Sequence, residues 1–396
     1  MKKRNYLLTS LMLVLFYSCN SQSERREQIV TTDSEIVGGP CESCDIMYVG
    51  MPEKISSEHT GPGWNEAAQK LLLTGRVMEP DGKTPAANVV VYYWHTGPGG
   101  LYNSDSTSLA AAKRHGRYRG WVKTDSTGVY TIRTSRPGAY PNEAIPQHIH
   151  LLIKEPDLNN MYYADLYFDD DPLYLPHQKK NGRDDRAGSE VLRVVTNDNV
   201  QAAEHNIILG MNIPNYPQPA KENSSGLRIG EDQPSFIPYH AFGPDKGSRA
   251  CPVCKYGRYH GVLLFAGTNC DWSEIKSWLI FLEKQSTQRH KYLKVYFVYA
   301  DSEKTEAIRK LEELGNSLHL ERIALTWVSS FSDRKSEVYL NKISTTARNS
   351  IVIYKNRSIT ERYVDLPATE DNFRMLADHL DKTRSPYFEW SADLKH

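Results

Sequence analysis

Pro146-Gln147-His148-Ile149-His150-Leu151-Leu152-Ile153 reads as a strand with two different faces. Successive side chains on a strand point to opposite sides, so His148 and His150 share one face, about 7 Å apart along the chain. Ile149, Leu151 and Ile153 share the other face and suit a core. Two imidazoles projecting together make a metal-ligand pair by geometry, although the spacing alone is equally that of a solvated strand face. Outward from this stretch the chain continues in short β-rich runs. Leu71–Val77 and Asn88–Trp94 are separated by the turn signal Glu79-Pro80-Asp81-Gly82, and Trp121–Thr124 and Val129–Thr134 flank Asp125-Ser126-Thr127-Gly128, read as a hairpin turn. Tyr162–Phe168, Val191–Val195 and Asn206–Leu209 extend the series. Many short strands with turns and no helical stretch between them predict a β-sandwich.

The pattern then changes. Pro214, Pro217, Pro219 and Asn223-Ser224-Ser225-Gly226 mark a linker. Beyond it, strand-like runs at 261–266, 292–299, 323–328 and 350–354 alternate with helical periodicity at 272–284, 304–314 and 371–380, which predicts an α/β layer with a partly parallel sheet. The expected division is a signal-type segment at 1–18, a tether and cysteine-bearing segment at 19–64, a sandwich at 65–216, a linker at 217–247, an α/β domain at 248–385 and a tail at 386–396.

Composition agrees with two domains: 396 residues are two to three times the roughly 150 of an ordinary domain. Lys+Arg and Asp+Glu are 48 each, so the formal charge is 48 − 48 = 0, which gives no electrostatic footprint for nucleic acid. The 39% apolar content excludes a polytopic membrane protein yet is sufficient for packed cores. At the N-terminus, Lys2, Lys3 and Arg4 precede a short apolar run ending at Tyr17-Ser18-Cys19. That order describes a lipoprotein-type secretory signal, with Cys19 as the lipidated residue. The protein is expected to be exported, attached to the cell envelope by a lipid anchor only, and in a compartment where disulfides persist. A plain secretory signal is the alternative.

Phenols accompany the two histidines. Arg136-Pro137-Gly138-Ala139-Tyr140-Pro141 stands just before them, and Trp94-His95-Thr96-Gly97-Pro98-Gly99-Gly100-Leu101-Tyr102 ends an earlier strand. Gly99-Gly100-Leu101-Tyr102, Thr124-Asp125-Ser126-Thr127-Gly128, Pro137-Gly138-Ala139-Tyr140-Pro141 and His148-Ile149-His150, in that order, resemble the intradiol ring-cleavage dioxygenases, the catechol and protocatechuate dioxygenase family. The resemblance spans about Leu71 to Tyr216.

What it implies is an all-β sandwich holding a non-haem Fe(III) on Tyr102, Tyr140, His148 and His150. Phenolates are hard anionic donors that favour ferric iron, and imidazoles are good borderline ligands. The implied reaction splits a catechol-type diol with O2 between its hydroxyl-bearing carbons, giving a muconate-type diacid. By the same carry-over Tyr140 is the axial ligand that leaves iron and accepts a substrate proton, with Tyr102 and His150 equatorial and His148 axial. The family Arg three residues before the first His is Ile145 here, so Arg117, Arg119 or Arg136 would have to supply that cation. The sandwich also resembles metal-free transthyretin-like carbohydrate or adhesion modules, which makes a cell-surface ligand-binding protein the rival reading. His95, His115 and His177 read as surface residues or neighbours of the ligands.

The α/β half resembles a thioredoxin-like domain. Cys251-Pro252-Val253-Cys254 has the CxxC spacing but precedes the first core strand, and the family position after that strand holds Cys270-Asp271-Trp272-Ser273. No proline stands at Asn349-Ser350, where the family has one. A dithiol oxidoreductase using Cys251, Cys254 or Cys270 is therefore a weaker reading than a thioredoxin-like scaffold whose activity the sequence leaves open. Cys41, Cys44, Cys251 and Cys254 could form a four-thiolate zinc site or two local disulfides.

Overall fold

The computed structural model describes residues 36–66, 68–104, 110–217 and 225–390. The signal segment, residues 19–35 of the tether with Cys19, and residues 391–396 of the tail lie outside the described residues.

The first half contains β1 (Glu58–Thr60), β2 (Lys70–Met78), β3 (Val90–Trp94), β4 (Arg119–Lys123), β5 (Val129–Ser135), β6 (His148–Lys154), β7 (Tyr162–Phe168), α1 (Tyr174–Asn181), β8 (Val191–Leu192), β9 (Val195–Asn197), β10 (Val200–Glu204) and β11 (Ile207–Ile208). One sheet runs β1-β5-β2-β10-β9 with β11 on β2, and the other runs β4-β3-β6-β7-β8. Leu71, Leu73, Tyr130 and Ile132 from the first meet Val91, Tyr93, Ile149, Leu151 and Ile153 from the second in one core. This mostly-β architecture puts Ile149, Leu151 and Ile153 inward and leaves the two histidines on the far face of their sheet.

That far face is not bare. The single-turn segment Cys44–Tyr48 lays Cys44 and Met47 over Tyr92 and Leu152. The Trp121 indole donates to the Met47 carbonyl at 2.8 Å. Burial on both faces explains why Val90-Val91-Tyr92-Tyr93-Trp94 is continuously apolar rather than alternating. It also corrects the expected tether at 19–64: Cys44–Tyr48 packs on the sandwich, and β1 pairs with β5.

Three further expectations change. The Asp125–Gly128 turn forms, with Asp125 Oδ1 accepting from the Thr127 amide at 2.8 Å, but it is not a hairpin. Strand β4 pairs with β3, and β5 pairs with β2. Gly128 is the reason: it has φ of 72°, its carbonyl accepts from Val77 N at 2.8 Å, and a Cβ there would sit 2.4 Å from the Val77 carbonyl. That docking draws β5 into the other sheet. Secondly, the sandwich does contain a helix, α1, which the polar run Tyr174–Asn181 did not signal because no apolar stripe marks it. Thirdly, the expected linker at 217–247 contributes a strand to the next sheet.

The second half contains β12 (Tyr239–Phe242), α2 (Pro252–Tyr256), β13 (His260–Ala266), α3 (Trp272–Gln288), β14 (Leu293–Ala300), α4 (Lys304–Ser317), β15 (Ala324–Val328), β16 (Ser350–Lys355), β17 (Ser358–Val364) and α5 (Glu370–Lys382). The sheet order is β12-β15-β14-β13-β16-β17, with β13, β14 and β15 parallel and the other three antiparallel to their neighbours. Every residue of β13 is buried, as a central strand covered on both faces requires. Asp271 caps α3 by accepting from Ser273 N at 2.8 Å, an interaction worth about 1 kcal/mol.

Ion pairs join the halves. Asp232 receives both Arg183, at 2.9 Å, and Arg193. Arg258 pairs with Asp169 at 2.6 Å, Lys355 with Glu204 at 2.8 Å and Lys83 with Glu361 at 2.8 Å. Burial would raise the Asp232 carboxyl, but the charges of Arg193 and Arg183 outweigh it and hold the group at about 2.

Candidate active site

Strand register assembles one side of the site. In the β6–β7 ladder His148 stands opposite Tyr167 and His150 opposite Asp165, while in the β6–β3 ladder His150 stands opposite Trp94. His150 is therefore held between an indole and a carboxylate: Trp94 stacks on it with ring centres 4.7 Å apart, and Nδ1 meets Asp165 Oδ1 at 2.6 Å.

Two loops deliver the phenols, and glycine lets them pack. Gly100 has φ of 75°, and a Cβ on it would lie 1.9 Å from the Ala139 carbonyl oxygen. Gly138 fits equally closely, with a Cβ position 2.3 Å from the Pro98 carbonyl oxygen. The Gly138 amide donates to Gly97 O at 3.0 Å, and the Thr96 hydroxyl donates to Gly138 O at 2.6 Å. So clamped, the loops set the Tyr102 and Tyr140 hydroxyls 2.6 Å apart.

All four expected side chains converge. Tyr102 Oη lies 3.0 Å from His150 Nε2, and His150 Nε2 lies 3.2 Å from His148 Nε2. The outer nitrogens fix the tautomers. His148 Nδ1 stands 2.7 Å from the Pro146 carbonyl and His150 Nδ1 beside the Asp165 carboxylate, and since neither oxygen partner carries a proton, each Nδ1 must donate. In these tautomers both Nε2 atoms are acceptors turned towards the same space, where the Tyr102 hydroxyl can donate to His150 Nε2 at 3.0 Å. Burial pushes His148 down to about 4, so at neutral pH it supplies no second proton there.

Two imidazole nitrogens and two phenol oxygens directed at one place have the geometry to share a cation. Ligands about 2.1 Å from one ion at right angles stand about 3.0 Å apart, which is the spacing found here. The donor set, two phenol oxygens and two imidazole nitrogens, fits a hard, highly charged ion such as ferric iron. Burial raises both phenols above their ordinary value, so without a cation Tyr102 and Tyr140 keep their protons. Burial would also raise the Asp165 carboxyl, but the hydrogen bond from His150 and the adjacent histidines bring it below the usual range.

Asp165 is the functional residue that sequence reasoning missed. Its signal is register: β7 returns antiparallel, so the residue opposite His150 was open to counting once the β6–β7 turn was set. The other histidines divide. His95 is buried and bonded to Thr134 Oγ1 at 2.8 Å and Thr96 O at 2.7 Å, a core residue rather than a surface one. His115 stacks on Trp94 at 4.1 Å and meets Tyr92 Oη at 2.9 Å, behind the His150 shelf. His177 packs on Tyr167, ring centres 5.1 Å apart.

The three arginines offered in place of Ile145 are engaged elsewhere. Arg136 spends its donors on Gln147, Asp170 and Gln201. Arg117 pairs with Glu66, and Arg119 lies over Trp121 with Tyr92 Oη 3.4 Å away.

The cysteines do not form a zinc site. Cys41 pairs with Cys44 and Cys251 with Cys254, each a local disulfide. Among the described residues no group of three or more His, Cys, Asp or Glu could hold a metal, so the Tyr2His2 cluster stands apart. Cys270 is the free thiol among the described residues, and burial pushes it up to about 11, which leaves little thiolate at neutral pH.

Residues 53–209 match the Dioxygenase family model. The chain is 31% identical over 111 residues to the protocatechuate 3,4-dioxygenase beta chain of Burkholderia cepacia, covering 26% of this chain and 47% of that protein. It is 28% identical over 118 residues to the chlorocatechol 1,2-dioxygenase of Pseudomonas sp. (strain P51), covering 25% and 45%. The chain thus spans just under half the length of these curated relatives. Among solved structures it is similar to catechol 1,2-dioxygenase from Pseudomonas arvilla C-1, at 19% identity and a TM-score of 0.34, covering 48% of this chain and 64% of that one. Over residues 53–209 the chain is therefore similar to ring-cleaving dioxygenases of catechol and protocatechuate type.

Proposed function

We propose that the sandwich is an Fe(III)-dependent intradiol dioxygenase that cleaves a catechol-type diol with O2 to a muconate-type diacid. The observation that carries the reading is the convergence of His148 Nε2, His150 Nε2 and the Tyr102 and Tyr140 hydroxyl oxygens on one place, each within 2.6–3.2 Å of a neighbour.

In this reading Tyr102, Tyr140, His148 and His150 hold the iron. Ferric iron so held would bind both oxygens of the diol and make the ring open to attack by O2. The chain's own residues do the rest. Asp165 keeps the Nδ1 proton on His150 and so keeps Nε2 an acceptor, and the Pro146 carbonyl does the same for His148. Trp94 covers one face of the His150 ring and keeps water from it. By the family resemblance Tyr140 is the phenol that would leave the iron; deprotonated while it holds the metal, its oxygen, beside Tyr102 Oη, would then accept a proton that the diol loses on binding.

The test is colour and gas. The full chain loaded with ferric iron should show a broad visible tyrosinate band that weakens or shifts in Tyr102→Phe and Tyr140→Phe, and should take up one O2 per catechol ring opened. A colourless loaded protein without O2 uptake would leave the binding-module reading in its place.

The α/β half is read as a thioredoxin-like scaffold. Its support is the parallel β13–α3–β14 unit beside an antiparallel β16–β17 pair followed by α5. A thiol–disulfide activity has poor support, because the Cys270 thiol is raised to about 11 and Cys251–Cys254 stands before β13 rather than after it. Export and lipid anchoring at Cys19 remain part of the proposal, and two local disulfides favour an oxidising compartment.

A further inference from the structure

Between the sandwich and the α/β layer lies a cleft of about 590 Å³, well within the range of small-molecule sites. Five cationic side chains line it: Arg183, Arg193, Lys255, Arg258 and Arg357. Four are neutralised from behind. Arg183 and Arg193 share Asp232, with Asp185 also on Arg183; Arg258 holds Asp169, and Lys255 holds Asp245 at 2.8 Å.

Arg357 is different. Its one hydrogen bond among the described residues is a long 3.4 Å contact from Nη2 to the Val253 carbonyl, and no described carboxylate lies within ion-pair distance. It is largely withdrawn from solvent, and burial together with the Arg193 charge lowers its affinity for its own proton, outweighing the more distant charges of Asp232 and Asp169. A desolvated guanidinium without a direct ion-pair partner is costly, and an anion in the cleft would lower that cost.

Arg357 is thus the one cation of the cleft that no described carboxylate engages directly, a single contact point that suits one carboxylate group better than a phosphate dianion. The remaining walls select its body. Val191, Val194, Leu175 and Val253 are apolar, and Tyr174 and Tyr259 present rings. We propose that this cleft binds a small aromatic carboxylate, its carboxylate on Arg357 and its ring among those side chains. The cleft is separate from the Tyr2His2 cluster: α1 stands between them, with Tyr174 and Gln178 on the cleft and His177 and Asn181 on the small cavity beside Asp165. The proposal does not depend on the dioxygenase reading.

Calorimetric titration of the full chain with benzoate tests it. Expected is saturable binding that weakens as salt rises, with roughly tenfold or greater loss of affinity in Arg357→Asn. Asn tolerates the left-handed φ of 65° that Arg357 adopts, which protects the turn. Gln178→Trp, which fills the cleft without altering charge, should weaken benzoate equally and serves if Arg357→Asn does not fold. His148→Ala should leave benzoate binding unchanged. Absence of saturable binding overturns the proposal. So does binding that survives both cleft variants but is lost in His148→Ala, and so does inorganic phosphate binding as tightly as benzoate.

Discussion

The two halves carry the same kind of promise in sequence and keep it differently. In the sandwich, four side chains from two loops and one strand converge with their reactive atoms turned on one another: two imidazole nitrogens and two phenol oxygens within 2.6–3.2 Å of their neighbours. In the α/β layer the thiols are consumed or suppressed, with Cys251 and Cys254 joined to each other and Cys270 buried away from the thiolate form. A motif becomes a candidate site when the fold points its atoms at one place. It becomes structure when the fold consumes or buries them.

The largest effect that would break this contrast is at the cluster itself. His148→Ala removes one of the two facing nitrogens and should abolish ferric iron retention and the visible band, while leaving the fold intact, as seen by unchanged circular dichroism. Retained iron at full stoichiometry would mean that the convergence has no chemical consequence.

Next is the joint between the halves. Asp232→Asn leaves two largely buried guanidinium groups facing a neutral amide and should cost about 3–5 kcal/mol in denaturant unfolding. The wild type should show the same dependence through pH. The folded carboxyl, at about 2, lies below its ordinary 3.8, so its contribution is complete above pH 4 and fades as pH falls towards 2. A stability profile flat from pH 5 to 2 would deny the linkage.

Asp165→Asn is expected to be milder. The amide can accept from His150 Nδ1 but without charge, so iron affinity should fall roughly tenfold to a hundredfold, with a shifted charge-transfer band. Rescue by Asp165→Glu would separate positioning from packing. The smallest effect belongs to the other half: Cys270→Ser should leave O2 uptake and stability unaltered. Alkylation of wild-type Cys270 should stay slow until the pH approaches 11. Fast alkylation at pH 7 would reopen the redox reading.

Much of this architecture is legible in the order of residues. The alternation around His148 and His150 marks the strand, its core face and the shared side of the imidazoles, because side-chain direction on a strand is a local property. The β13 run and the periodic α3 and α4 mark the α/β layer for the same reason. Less legible is anything that depends on pairing. The Asp125–Gly128 turn has faultless hairpin chemistry yet joins two different sheets, since the contact of Gly128 with Val77, distant in sequence, decides where β5 goes. Helix α1 lacks periodicity, and the packing of Met47 on Tyr92 could not be foreseen from a polar, cysteine-bearing segment.

Residue type and a two-residue period were enough to say which side chains could do chemistry, in what order they came and which face of each strand they occupied. Long-range packing settled the rest: the two tyrosine loops interlock through Gly100 and Gly138, Asp165 lands opposite His150, and Arg357 is left in the cleft without a direct ion-pair partner among the described residues. Those are coincidences of register and close approach between segments far apart in the chain. They arise from burying separate segments against one another, and no local pattern encodes them.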